Sequence, residues 1–432
     1  DVVINNSVTL EGALPAMEMV WGKYYKLKVI YSQDGEWYRA PLAVNKVERL
    51  TPFTNCHLVN PPQTTDKRYR FRIPIDRVNQ FAATSFGVAG NVPTIEAGTK
   101  WVANIIWKDV DISGDTDLIT LTKSTGIGPN DMIEFEVQYD ADERFGNALI
   151  GIKLADESFE PTISSHHEGY LWSWHIWISD YDGKLYDIST GVRTQLIMDR
   201  NLGARSNTIN HPSSMGLLYQ FGRKDPFIYG SYTYWEGVGA ISLQPTTLPG
   251  GWIARRADAN PNGTVEYTVS HPTAFIKTNT NPNYQKTHWM LESDVSLWSS
   301  NVKTIYDPCP DGFKLPDNSV VSGQSSAFGQ LTSENFIPFP SENTRGRLYG
   351  PDLWFPYNGF ALSSSGAVQE IREAFHITSV SRTSGGGSGY GESLRARTLY
   401  VKDGEPFTTV AGSMNRGTGA AARCIEWEGT VD

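Results

Sequence analysis

The chain has 432 residues and a formal net charge of -10, from 37 Lys and Arg against 47 Asp and Glu. That balance excludes a nucleic-acid groove or a docking face for anionic membranes, both of which need clustered cations. Charged residues are only 19% and aromatics reach 12%, with 40 glycines and 24 prolines, so the composition favours short strands and many turns spread over two or three domains.

In chain order, residues 1–50 alternate apolar and polar positions in VTLEG, YYKLKVIYS, EWYRAPLAV and VERL, which predicts strands. Four strands are few for a sandwich, so this part is expected to be the end of an incomplete β-domain or half of one that later strands complete. The opening DVVINNSVTL has neither a basic nor an apolar signal region, and a targeting segment, if encoded, is missing from this chain. No window of 18 apolar residues exists to span a bilayer.

Residues 51–165 continue with NCHLV, YRFRIPI, WVANIIW, LITLTK, MIEFEVQY and NALIGIKLA, a β-sandwich pattern with no helical period, closed by the linker ESFEPTISSHHEG. The run LWSWHIWISD, Leu171 to Asp180, then packs Trp172, Trp174 and Trp177 around His175. Alternation puts Trp172, Trp174 and Ile176 on one face and Ser173, His175 and Trp177 on the other, so both faces are expected to be covered and the run to be core. It reads as the first strand of a last unit, residues 166–432, dominated by loops, with a short helix expected over Met215 to Gly222 and polar turns around Tyr284 to Trp289.

Among candidate sites, the adjacent His166 and His167 with Glu168 sit in the linker and would face opposite ways if extended, which argues against zinc. DANPNGTVEYTV places Asp258, Asn260, Asn262 and Gly263 like the start of a calcium loop, but Val269 stands where the bidentate Glu belongs, so an Asx-rich turn is the better reading. No nucleophile elbow, phosphate loop or dinucleotide fingerprint occurs, and the expectation is a protein without catalysis or cofactor. Aromatics in loops remain as platforms for a sugar or protein ligand: Tyr232, Tyr234 and Trp235 in SYTYWEG, Trp354 in WFPYNGF, and Tyr390 in the glycine loop. Of the three cysteines, Cys309 and Cys424 bracket the last part and one bridge between them would staple it, while pairings with Cys56 stay open.

The ordered series LWSWHIWISDYD, MDRNLGA, GLLYQFGRKDPF, DPCPDGFKLP, WFPYNGF and ARCIEW, from Leu171 to Trp427, resembles the fimbrial tip and fimbrillin-associated proteins of Bacteroidetes that end in a major paralogous domain of the Fibrobacter type. More loosely, NCHLVNPP, EFEVQY and NALIGIKLA resemble the β-domain that precedes such a head, and GKYYKLKVIYS resembles the final strands of a fimbrillin domain. The resemblance implies a mainly β fold, with a transthyretin-like or Ig-like β-sandwich region followed by a loop-rich α+β C-type-lectin-like head, and a Cys309–Cys424 disulfide. It implies a precursor exported as a lipoprotein and trimmed at the cell surface, with the mature chain starting near Asp1. The subunit would join other fimbrial subunits by β-strand addition and use its head for attachment to a glycan or protein. The short acidic EWEGTVD after Cys424 fits a subunit that accepts a strand but does not donate one, as at a tip. The calcium-binding triplets of sugar-binding C-type lectins are absent. A surface glycan-binding lipoprotein of a polysaccharide-uptake system is the alternative.

Overall fold

The computed structural model describes residues 30–33, 36–39, 48–60, 68–109, 118–138, 145–188, 195–227, 253–257, 259, 261–278, 288–290, 297–299, 301–316, 319–321, 324–326, 336–337, 345–366, 368–369, 373–384, 393–402 and 413–427. Their architecture is mainly β, with several sheets and three short α-helices.

The tryptophan run forms the strand Trp172–Ile178, and all seven of its residues are buried. It lies inside a five-stranded sheet of order Cys56–Val59, Trp172–Ile178, Gly146–Leu154, Lys100–Lys108, Thr125–Ile127. Cys56–Val59 runs parallel to it, pairing Cys56 with His175, whereas Gly146–Leu154 runs antiparallel and sets Leu149 opposite His175. A strand covered on both faces needs apolar side chains at every position, and WSWHIWI meets that demand only if Ser173 and His175 find polar partners. Close packing also demands Gly151, where a Cβ would stand 2.4 Å from Tyr170 Cδ1 and 2.6 Å from Ile106 Cδ1.

This sheet joins the run to strands that precede residue 166 in the chain. The boundary drawn between residues 165 and 166 falls on the connection between two hydrogen-bonded neighbours, Gly146–Leu154 and Trp172–Ile178. The intervening segment is tied down by Thr162 N donating to Leu154 O at 3.0 Å and by Lys153 Nζ donating to Ile163 O at 3.1 Å. Periodicity identified the strand, but pairing between segments distant in sequence decides which sheet it joins.

A four-stranded sheet has the order Glu48–Arg49, Arg68–Pro74, Met132–Gln138, Ile119–Lys123. Phe71 stacks on Phe135 at 5.2 Å on the inner side, and the outer side carries the cross-strand ion pairs Arg70–Glu136 and Arg72–Glu134. Strand Arg68–Pro74 leads into the helix Asp76–Ala82, and Thr84 caps the next helix, Ser85–Ala89, by accepting from Gly87 N. These helices contradict the expectation of a region without helix. Asp76–Ala82 buries Arg77, Val78, Phe81 and Ala82, a helical face too short to register as a period.

A six-stranded sheet joins distant parts of the chain in the order Ile30–Gln33, Glu36–Arg39, Lys184–Asp187, Leu196–Met198, Ile425–Glu426, Phe313–Lys314. A seven-stranded sheet contains Val368–Gln369, Phe360–Ala361, Gly419–Ala422, Glu373–Ser384, Ser393–Lys402 and Ser413–Asn415, with Leu218–Gln220 also on Gly419–Ala422. Leu218–Gln220 thus corrects the helix expected over Met215 to Gly222. Leu217, Leu218, Tyr219 and Phe221 are all buried, so the apolar run is a strand enclosed on both sides, preceded by the 3-10 turn Pro212–Ser214. The third α-helix, Val265–Ser270, is capped by Thr264, which accepts from Tyr267 N. The largest apolar cluster extends from Leu50 to Cys424, and a second, smaller one gathers Ile188, Ile197, Leu353, Phe355, Tyr357, Leu399, Val401 and Ile425. No helix among the described residues is long and apolar enough to cross a membrane.

Candidate functional site

The polar residues within the strand Trp172–Ile178, Ser173 and His175, stand two apart on one face and each anchors a separate cluster. In the first, Ser173 Oγ donates to Asp225 Oδ1 at 2.7 Å. Lys224 Nζ reaches the same oxygen at 2.7 Å, donates to Ser173 O at 3.0 Å and to Ser173 Oγ, and lies 4.4 Å over the Trp172 ring. Burial pushes the Lys224 ammonium down to about 8, against the pull of Asp225. A hydroxyl beside a lysine has the composition of a nucleophile and its base, yet the three residues are only 1–3% exposed, so the group acts as an interior pin.

The second cluster is built on Asn147. Its Nδ2 donates to Asp109 Oδ2 at 2.8 Å and to Gly203 O at 2.9 Å, leaving Oδ1 to accept from His175 Nε2 at 2.9 Å. Those bonds fix the His175 tautomer with its proton on Nε2. Burial drives His175 down to about 3 and raises the Asp109 carboxyl, which Arg205 and Asn147 hold back. Trp177 Nε1 donates to Ala204 O at 2.9 Å, next to Gly203.

Further out, Arg200 bonds Asp199 through Nε at 2.7 Å and through Nη2 at 2.9 Å, and also reaches Asp180. Arg423 donates to Asn201 Oδ1 at 3.0 Å and to Trp354 O at 2.5 Å, with its guanidinium 4.0 Å over Phe355. Cys309 and Cys424 are disulfide-bonded, 115 residues apart in sequence, and Cys56 is a buried free thiol. Beside the bridge, Lys303 Nζ donates to Asp307 Oδ1, Cys309 O and Phe313 O at 2.7–2.9 Å, using all three of its protons.

The aromatic candidates are distributed differently. Tyr232, Tyr234, Trp235 and Tyr390 lie outside the described residues, as do Asp258 and Asn260. Trp354 is 2% exposed in the strand Leu353–Pro356, and its Nε1 donates to Ser214 Oγ at 3.1 Å, so this ring is interior and offers no open face. Asn262 Nδ2 donates to Arg256 O at 3.1 Å in the turn before the Val265–Ser270 helix. His166 and His167 are engaged apart, by Ile106 O at 2.7 Å and Thr273 Oγ1 at 3.0 Å. Among the described residues no cluster of three or more His, Cys, Asp or Glu converges as a metal site.

Sequence reasoning missed Ser173, Lys224, Asp225, Asn147 and Asp109 as partners. The available signal was the pair of polar residues inside an otherwise apolar strand, since a buried hydroxyl and a buried imidazole must be answered from elsewhere. No family model, no curated protein and no solved structure matches the chain.

Proposed function

We propose that this chain is a non-enzymatic structural and adhesive subunit of a bacterial surface fimbrium, standing at the tip, joined to neighbouring subunits by β-strand addition and presenting a lectin-like head to a glycan or protein. The observation that supports the reading is the convergence of the motifs behind the resemblance. WSWHIW is pinned by RKD through Ser173, Trp177 meets Ala204 of MDRNLGA, RC reaches Asn201 of the same segment, and PCP and RC are joined by the disulfide. Motifs that interlock in this way specify a scaffold, and recognition then belongs to the loops that the scaffold carries. Tyr232, Tyr234, Trp235 and Tyr390 are the residues proposed for contact, with no cofactor required.

Immunogold electron microscopy of the producing cells with antibody to this chain tests the reading. Gold at fibre ends is the expected result. Gold spread over the cell body without fibres would overturn it in favour of a glycan-binding lipoprotein of an uptake system.

A further inference from the structure

The segment that pins the tryptophan strand also carries an unbalanced charge. Arg223, Lys224 and Asp225 are each 3% exposed, so two cations and one carboxylate share the interior. Asp225 is committed to Lys224 at 2.7 Å and to the Ser173 hydroxyl. Arg223 uses a single nitrogen: Nη1 donates to Gln220 Oε1 at 2.9 Å and to Ala274 O at 2.6 Å. Its Nε and Nη2 are buried without an acceptor among the described residues. The titratable groups beside it are Asp225, Lys224 and Tyr267, and its Cζ lies 4.9 Å from the Phe227 ring centroid. Gln220 cannot supply more, because its Nε2 is occupied by Ile276 O and Gly417 O and its Oε1 already serves Arg223 and Ile276 N.

We infer that the Nε–Nη2 edge of Arg223 is a binding site for a small, weakly hydrated monovalent anion, chloride or bromide or a carboxylate of formate size but not the strongly hydrated fluoride, held inside the protein as the counter-charge of the Arg223–Lys224–Asp225 segment. The edge presents two parallel N–H groups, the arrangement that grips a single anion or both oxygens of a carboxylate. A water would satisfy the hydrogen bonds but leave the charge, and an uncompensated buried cation is the costlier deficit. Arg223 is buried against the Phe227 ring, and burial strengthens its attraction to an anion.

The test is bromide on the full chain. Crystals grown in sodium bromide should show an anomalous peak within hydrogen-bond distance of Arg223 Nε and Nη2. In solution, bromide or formate should raise the melting temperature by about 2 °C over fluoride at equal ionic strength, because a ligand of the folded state stabilises it. Arg223→Met, which keeps the volume and removes the charge, should abolish that difference. The inference is overturned by a wild-type map with no anomalous peak at the guanidinium edge, whether a water or a side chain occupies it. A bromide effect that persists undiminished in Arg223→Met overturns it as well.

Discussion

His175 Nε2 and Asn147 Oδ1 are 2.9 Å apart, and the contact is a cross-strand diagonal: Asn147 stands opposite Trp177, two residues beyond His175. Same-face diagonal neighbours in an antiparallel pair lie within reach of long side chains, and here both are polar in an interior of tryptophans. Asn147 therefore fastens its neighbouring strand and, through Gly203 O, the MDRNLGA segment.

Asn147→Ala should lower stability by about 3 kcal/mol, since it strands His175 Nε2 and removes one donor from buried Asp109. Urea unfolding followed by tryptophan fluorescence measures this. A loss below about 0.5 kcal/mol would mean that the three bonds are not made in solution.

Acid should destabilise the protein well before its surface carboxylates titrate. Burial holds His57 and His175 down to about 3, and His376 is also driven well below its usual range. An unfolded chain takes up these protons near pH 6.5, so the unfolded state binds more protons between about pH 6.5 and 3. The stabilisation is complete above pH 6.5 and falls by about 1.4 kcal/mol per pH unit for each such histidine as the pH drops through that window. Asp109 and Asp199, whose carboxyls burial raises, act in the opposite sense from about pH 4 upward and oppose this slope in part. Urea midpoints from pH 7 to 4 should show the decline, and His175→Gln should reduce the slope by about one proton. A flat profile contradicts the burial of these rings.

The Lys224–Asp225 pair separates a buried ion pair from a surface one. Lys224→Met should cost about 3 kcal/mol because it leaves a carboxylate buried, and Lys224→Met with Asp225→Asn should recover much of that loss. On the outer face, where Arg70 and Arg72 are each 44% exposed, Arg72→Ala should cost under about 0.5 kcal/mol and respond to salt. Equal losses at the two places would refute the distinction.

Reduction of the Cys309–Cys424 bridge, or Cys309→Ser with Cys424→Ser, should cost about 5 kcal/mol, the chain-entropy scale for a loop of this length. Thiol titration of the unreduced protein should find one reactive group after unfolding and none before, because Cys56 is fully buried. A reactive thiol in the folded protein contradicts this placement.

The mainly β class was legible because alternation and turn residues are local, and the tryptophan run showed its two covered faces in its own composition. The disulfide followed from the PCP and RC motifs. The sheet that receives the run was not legible: Cys56–Val59 reaches Trp172–Ile178 across more than a hundred residues, and such pairing leaves no trace in either segment. Within DANPNGT, Thr264 caps the helix Val265–Ser270, a role drawn from the residue types that ion loops also use. Trp354 looked available because its neighbours are turn-formers, but depth depends on Ser214 and Arg423, far away in the chain.

The pairing of Ile425 with both Ile197 and Lys314 has a consequence for the order of events during synthesis. A polypeptide emerging N-terminus first carries Leu196–Met198 as an unpaired edge through the making of most later strands, and contacts this far apart in sequence form slowly. The nascent chain thus needs protection from aggregation until Ile425–Glu426 arrives. A stop codon shortly before Ile425 would leave the sheet open, with the Leu196–Met198 edge exposed.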